Sequence, residues 1–554
     1  MGQRVLCLVF GVVVCAYAPG AQAQNTPLQR AIAQAVAAHG EVHDEVHDEV
    51  HDEVQPFYQG RQFEPLWMGH SAEHRQRRAV LLQVLSQADR HGLPLSRYNA
   101  QTLKLRAARA RLPRDRGSVE VALSLHYLRY ARDVQFGILE PSDVSQGIAR
   151  KRRTQSAQQY LEAITQAHPA AVLRQLPPAT AEYARLIRQK AQLEQIVLGN
   201  AWGAPVPSGL YKPGDSGAGV AALRGRLARM GYGEARTSPS DSLPYGAAYD
   251  ADAVYDADLE AAVRMFQGHH GLRVDGIAGP NTLAEINRPA AERLKSVIAA
   301  LERERWMNFP RGARHVVVNL TDFHVRIVDN GKITFETRAV IGQNRRRFRS
   351  PEFSDELEYM VINPVWHVPR SIATREYLPQ LQEDPAAVDH LLLFDADGNL
   401  VTRDGIDFTS FTSRSFPFFM KQLPGKDNAM GQVKFMLPNA HNIYLHDTPE
   451  KALFARNPRA FSHGCIRLGN PQGFAHALLA PQTGDPEALF QRKLNSGRQV
   501  YLPLQDSVPV HLIYRTAFGD PQGTLHYRRD VYGRDALLWQ ALVQLGVAPQ
   551  AGQS

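Results

Sequence analysis

Cysteine is scarce: 554 residues hold three, Cys7, Cys15 and Cys465. So few cannot staple a chain of this length, so its stability must come from packed cores. Long apolar runs are also rare. The longest, Val5 to Ala18, spans 14 residues, whereas a membrane-crossing helix needs about 20. A strong excess of one charge is missing too, with 63 Lys plus Arg against 55 Asp plus Glu, a formal net charge of +8. Spread over the chain, that excess suits polyanionic surroundings without specifying one. No basic-aromatic block or nucleic-acid motif is present, so nucleic acid is not an expected partner. The remaining composition, 44% hydrophobic and 21% charged, is that of ordinary globular protein. At roughly 100 to 200 residues per domain, three to four domains are expected.

Arg4, the apolar run and Ala21-Gln22-Ala23 together have the pattern of a secretory signal cleaved after Ala23. Residues 1–23 are read as a signal peptide and the protein as periplasmic. Cys7 and Cys15 fall inside that segment, leaving Cys465 as the one thiol of the exported chain. A lone thiol in an oxidising compartment is a liability, so it needs either a reason or deep burial.

Residues 24–55 read as a low-complexity linker. Glu41 to Val54 repeats Glu-Val four times around His-Asp, and His43, His47 and His51 would share a face if helical; a solvated linker is preferred to a metal clip. From 56 to 205 apolar residues recur at threes and fours, as in Val80 to Ala88 and Val119 to Val134, with breaks at Gly92-Leu93-Pro94 and Pro177-Pro178. This is expected to be a helical scaffold domain without catalytic groups. Residues 206–288 read as a three-helix module: Val220 to Met230, Leu259 to Phe266, and a third helix after Gly279-Pro280, with Asp275 and Thr282 placed to satisfy loop or helix-start amides. Thr237 to Val254 is a polar insertion within it. A connecting helix is expected over 289–306, with Leu294, Val297, Ile298 and Leu301 on one stripe. From 307 to 545 the period changes to two, with strands at Val316 to Asn319, Val325 to Val328, Ile333 to Thr337 and Tyr359 to Ile362, and a hairpin at Asp329-Asn330-Gly331.

The chemistry gathers in Ile443-Tyr444-Leu445-His446-Asp447-Thr448 and Phe461-Ser462-His463-Gly464-Cys465-Ile466-Arg467-Leu468. A thiol attacks as thiolate, and an imidazole in reach can take and return its proton. His446 and His463 are both candidates for that base, and spacing does not choose between them: His463, two residues from the thiol, faces the same side if the segment is extended. Gly464 would let the amides of Gly464 and Cys465 turn toward an oxyanion. Tyr444 is either a phenol donor to that site or a half-buried strand aromatic.

His446 followed after fifteen residues by Ser462-His463-Gly464-Cys465 resembles the signature of the L,D-transpeptidase (YkuD-type) catalytic domain. Phe57-Tyr58, Arg61, Pro65-Leu66-Trp67, Asn363-Pro364, Trp366, Pro369, Asn428 to Gly431, Lys434-Phe435, Tyr514 to Ala517 and Asp530 to Tyr532 extend the resemblance to the large YcbB-type members. The 206–288 segment is similar to the peptidoglycan-binding module of many wall enzymes. The resemblance implies a multidomain α+β protein: helical scaffold, three-helix module, and a mostly-β, sandwich-like catalytic domain with a capping insertion at 373–425. It implies Cys465 as nucleophile, His446 as base and the Asp447 carbonyl as its orienter, with His463 a variable position. Arg467 would hold a substrate carboxylate or form a structural pair. No metal or organic cofactor is implied. The expected partners are peptidoglycan stem peptides and glycan, with carbapenems as covalent inhibitors. The activity implied is 3→3 cross-linking from a tetrapeptide donor; an L,D-carboxypeptidase using the same site and a non-catalytic wall-binding scaffold are the alternatives. Two departures from those relatives are Ser350-Pro351 in place of Thr-Pro and the basic run Arg345-Arg346-Arg347. Neither is expected to touch the catalytic group.

Overall fold

A computed structural model describes residues 26–38, 45–233, 253–520 and 522–548. The signal segment, His43 and nearly all of the 237–254 insertion lie outside these residues. The described chain divides into two compact units. One comprises residues up to Val84, Asn99–Arg129 and Ser156–Leu173; the other comprises Leu85–Tyr98, Tyr130–Gln155 and everything from Arg174 onward. No described helix is long and apolar enough to cross a membrane.

In the first unit, helices occupy the described residues from Pro27 onward of the linker expected over 24–55. Pro27–Ala38 is helical and buries Ala31, Ile32 and Val36, an apolar stripe at near-helical spacing that the repeat beside it obscured. The helix Glu45–Gly60 carries the repeat directly into Phe57-Tyr58. The residues around Trp67 are organised by buried Glu120, whose carboxylate accepts the backbone amides of Leu66, Trp67 and Met68 and the Tyr58 hydroxyl. A carboxylate serving three successive amides offsets its desolvation with charge-assisted bonds, and burial still raises its pKa.

In the second unit three helices, Ala218–Arg229, Ala257–His269 and Pro280–Ile286, surround a core of Val220, Leu223, Leu227, Leu259, Val263, Phe266 and Ile286. Gln267 is their hub. Its Oε1 accepts the amides of Asp275 and Gly276, and its Nε2 donates to Asp275, Ile277 and Thr282. Thr282 therefore closes this network from inside the third helix, whose N-cap is Gly279, while Asp275 does accept a loop amide, from Ile277 at 3.0 Å. The following helix, Ala290–Trp306, is far more than an apolar stripe: Glu302, Arg303, Glu304 and Arg305 are all buried. Arg305 pairs with Glu302 within the helix, Arg303 with Asp535 and Glu352, and Glu304 with Arg311 and Arg515. Each buried charge has an opposite charge beside it, the condition under which burial is tolerated.

The mostly-β part begins with β1 (Arg314–Asn319), β2 (His324–Asp329), β3 (Lys332–Gly342) and β4 (Phe353–Ile362). Asn330 and Gly331, both at positive φ, form a two-residue hairpin between β2 and β3, the turn whose twist matches paired strands. An inserted four-stranded sheet follows, from β5 (Trp366–His367), β6 (Leu392–Phe394), β7 (Leu400–Val401) and β8 (Phe419–Gln422). It packs with the helical stretch Arg370–Glu383 on its own core of Trp366, Leu381, Leu393, Phe408 and Met420. The main sheet resumes with β9 (Val433–Met436), β10 (Leu445–His446), β11 (Ala460–Ser462), β12 (Ile466–Leu468) and β13 (Val500–Ile513). Its order is β11-β3-β12-β10-β9-β4-β13-β1-β2, and pairing of β2 with β3 closes it. Closure removes the open edges that a single sheet would expose. Inward side chains of alternating residues, among them Val316, Val318, Val325, Met360, Phe435, Leu445, Ile466 and Val510, form the largest core here.

Candidate active site

β10 and β12 are parallel neighbours at the centre of this closed sheet, with Leu445 opposite Ile466 and His446 opposite Arg467. Leu445, Ile466 and Leu468 point into the core, so alternation sends Tyr444, His446 and Arg467 to the other face, while Cys465, just before β12, packs partly against that core. The Ile466 amide donates to the Tyr444 carbonyl at 3.1 Å, extending the register to bring Cys465 beside Tyr444. The sequence folds this way because apolar residues occupy every second position of both short strands.

His446 is 3% exposed. Its Nδ1 lies 2.5 Å from the Asp447 carbonyl. A carbonyl only accepts, so Nδ1 carries the proton and Nε2 is left as the free acceptor. Asp447 is itself fixed: its carboxylate accepts the amides of Gln432 and Thr448 and pairs with Lys451. Gly431, at φ +59°, makes room for it, since a Cβ there would lie 2.3 Å from that carboxylate. Burial, and next the Arg467 guanidinium, push the His446 imidazole down to about 3.

Cys465 is half-buried, and its thiol donates to the Asn442 carbonyl at 3.7 Å. Burial pushes the thiol up to about 11, offset in part by hydrogen bonds with Tyr444 and then by Arg467 and Lys434. The resting pair is thus neutral thiol and neutral imidazole rather than an ion pair. Burial, and then the thiol, also raise the Tyr444 phenol, which stays protonated; its ring centroid is 5.5 Å from that of His446. Lys434, opposite His446 on β9, lies over the Tyr444 ring at 5.8 Å.

The turn before the thiol differs from the expectation. Gly464 has φ +123°, which breaks the extended alternation that would put His463 and Cys465 on one side. His463 Nε2 instead donates to the Glu376 carboxylate of the inserted segment at 2.7 Å, and its ring meets Phe348 edge-on at 4.5 Å. Nor is the Gly464 amide available to an oxyanion: it donates to Ser462 Oγ at 3.1 Å, and the same hydroxyl donates to the Cys465 carbonyl at 2.6 Å. Ser462 is therefore the brace of this turn. Arg467 pairs with Glu450 at 3.0 Å, the structural option, while its Nε has no hydrogen-bond partner among the described residues.

Ser350, set apart from the catalytic group on sequence, touches it. Its hydroxyl donates to the Gly464 carbonyl at 2.6 Å and accepts the Gly342 amide at 3.0 Å. Tyr532 and Arg534 hold it from behind through its amide and carbonyl. Asn442, Lys434, Ser350, Glu376 and Glu450 all escaped the sequence reading. Lys434 and Ser350 carried a signal only as positions within the resemblance, Lys434-Phe435 as a match and Ser350-Pro351 as a departure; contacts between distant segments left none for the others. Among the described residues no group of three or more His, Cys, Asp or Glu is placed to hold a metal ion.

Comparison with known proteins agrees with this architecture. Residues 313–502 match the L,D-transpeptidase catalytic domain, 216–286 a peptidoglycan binding domain and 52–189 a scaffold domain. A Haemophilus influenzae protein named as an L,D-transpeptidase is 32% identical over 238 residues, 43% of this chain and 47% of its own. The matched region thus spans about half the length of that relative. An L,D-transpeptidase from Xylanimonas cellulosilytica is 16% identical, with 56% of this chain and 100% of that one covered, and one from Mycobacterium smegmatis is 11% identical, with 36% and 58% covered. Their TM-scores are both 0.17, and the assignment does not rest on them. With β9 to β12 and both chemical segments inside the matched catalytic region, the chain contains an L,D-transpeptidase catalytic domain together with a peptidoglycan binding domain and a scaffold domain.

Proposed function

We propose that this chain is an exported, periplasmic L,D-transpeptidase that forms 3→3 peptidoglycan cross-links through a thioester on Cys465. The observation that supports the reading is the β10–β12 register, which pairs His446 with Arg467 and, through the Ile466 amide on the Tyr444 carbonyl, brings the turn bearing Cys465 beside Tyr444. The donor is a tetrapeptide stem. Cys465 Sγ attacks the carbonyl of its third residue as His446 Nε2 takes the thiol proton. The tetrahedral intermediate expels the terminal D-alanine, whose amine receives that proton, and a thioester remains. A stem amine from a second strand then attacks, His446 accepts its proton, and the thiol is reprotonated on release. With the Gly464 amide engaged, the Tyr444 phenol is the donor best kept for the developing oxyanion.

Burial favours the neutral forms of both groups, so His446 Nε2 is unprotonated and able to accept the thiol proton as the thiol attacks. The inserted segment, which reaches Cys465's own turn through Glu376, supports a role as a substrate cap.

The test is muropeptide analysis after incubating the purified chain with tetrapeptide-rich sacculi. Cross-linked 3→3 dimers are expected from the wild type and none from Cys465→Ala. Tripeptides alone would assign the same site to an L,D-carboxypeptidase, and unchanged sacculi would leave only wall binding.

A further inference from the structure

The net positive charge, read from sequence as spread thinly, has a local source. Two segments some 200 positions apart, 146–153 and 343–351, contain Arg150, Lys151, Arg152, Arg153, Arg345, Arg346, Arg347 and Arg349 and no acidic residue. The fold joins them. Ile148 forms a parallel bridge with Glu352, the Glu352 amide donates to the Gly147 carbonyl, the Ala149 amide donates to the Glu352 carbonyl, and Arg346 donates to the Gln146 side chain at 3.1 Å. Gly147 allows the close approach, since a Cβ there would lie 2.6 Å from Arg534 Nη2. Glu352, the nearest carboxylate in sequence, is buried and taken by Arg303 and Arg534.

The joined surface is anchored to the turn that precedes the thiol. The Gln343 amide donates to the Ser462 carbonyl and its side chain to the Phe461 carbonyl, while Ser350 holds Gly464. Buried Phe348 packs on His463, and the Arg347 guanidinium lies 4.5 Å from the Phe348 ring centroid. Turn bonds from the Phe348 and Arg349 amides to the Arg345 carbonyl fix the loop that presents the arginines. Arg345, Arg346, Arg347 and Lys151 are exposed. An ordinary solvated charged surface intersperses both signs; this one is of a single sign and bonded to the nucleophile's turn.

We infer that Arg345, Arg346 and Arg347 form a subsite that binds the free carboxylates of the peptide substrate. The inference rests on the proposed function, under which the substrate is a carboxylate-rich stem. Guanidinium groups match carboxylates two bonds at a time, and a fixed basic loop beside the thiol raises the local concentration of acidic peptide there.

The test uses the full chain and a soluble disaccharide-tetrapeptide donor. In the triple variant Arg345→Gln/Arg346→Gln/Arg347→Gln, KM is expected to rise about tenfold, as for three partly exposed ion pairs, while kcat changes less than about twofold. The corresponding triple lysine variant should recover most of the loss. Wild-type KM should also rise when salt goes from about 0.05 to about 0.5 M, which shortens the screening length about threefold, and the glutamine variant's KM should not. Equal KM and equal salt dependence in the glutamine variant would overturn the subsite. So would a variant that keeps its KM but no longer binds phosphatidylglycerol vesicles, which would make the surface a membrane contact. A wild type that turns over no donor at any salt concentration would fail the proposed function itself, and the subsite with it.

Discussion

Glu376 and His463 are joined by a 2.7 Å side-chain contact that fastens the inserted segment to the turn of the nucleophile. His463 is thereby a strut between the insertion and the Phe348 loop, and under the proposed function proton transfer falls to His446. His446→Ala is expected to lower Cys465 acylation by about 10² to 10⁴, the usual worth of a positioned base, and His463→Ala by less than about tenfold. Glu376→Gln should speed amide hydrogen exchange over 373–383 while leaving the catalytic strands protected. Stopped-flow acylation by a carbapenem and exchange mass spectrometry check the two halves.

The pH dependence follows from the same neutral pair. His446 is shifted down, so its basic form is lost only as pH falls through about 3; Cys465 is shifted up, so direct ionisation adds thiolate only as pH approaches about 11. Acylation by the wild type should be nearly flat from about pH 5 to 9. In His446→Ala it should rise about tenfold per pH unit across that range, because hydroxide must then supply the thiolate. A wild-type profile with a strong limb centred near pH 6.5 would indicate an imidazolium–thiolate pair instead.

Ser350→Ala should be costly for so small a change. It leaves the buried Gly464 carbonyl and Gly342 amide without their partner, a loss of about 1–3 kcal/mol, and frees the residue before the thiol. Ser350→Thr retains the hydroxyl and should keep stability and acylation within about twofold. Thermal unfolding midpoints and acylation rates of the two variants give the comparison.

Gly431→Ala should destabilise by about 1–3 kcal/mol through its left-handed backbone alone, with further cost from displacing Asp447. The displaced carbonyl no longer fixes the His446 tautomer, so acylation should fall together with the unfolding midpoint. Full acylation in a destabilised variant would separate Asp447 from the site.

What the sequence made legible was periodic or local. The helices of the 206–288 module, the Asn330-Gly331 hairpin and the strand stretches were visible because side-chain period and turn chemistry are written in neighbouring residues. The segments holding Cys465 and His446 were visible because thiol, imidazole and glycine occur at a recognisable spacing. The helix Pro27–Ala38 was missed beside a low-complexity repeat, and the buried charges Glu302 to Arg305 went unread beside the apolar stripe, because partners such as Asp535, Arg515 and Glu352 lie in distant segments. Ser350 and Glu376 reach the nucleophile's turn only through the closed sheet and its insertion, so no local pattern announces them.

Trapping the acyl-enzyme tests the central claim most directly. Purified chain mixed with a tetrapeptide donor, quenched in acid and measured by intact mass and peptide mapping should carry one stem-derived acyl group, lacking the terminal D-alanine, as a thioester on Cys465. Cys465→Ala should carry none. An acyl group on any other residue, or cross-linked product from Cys465→Ala, would contradict the account.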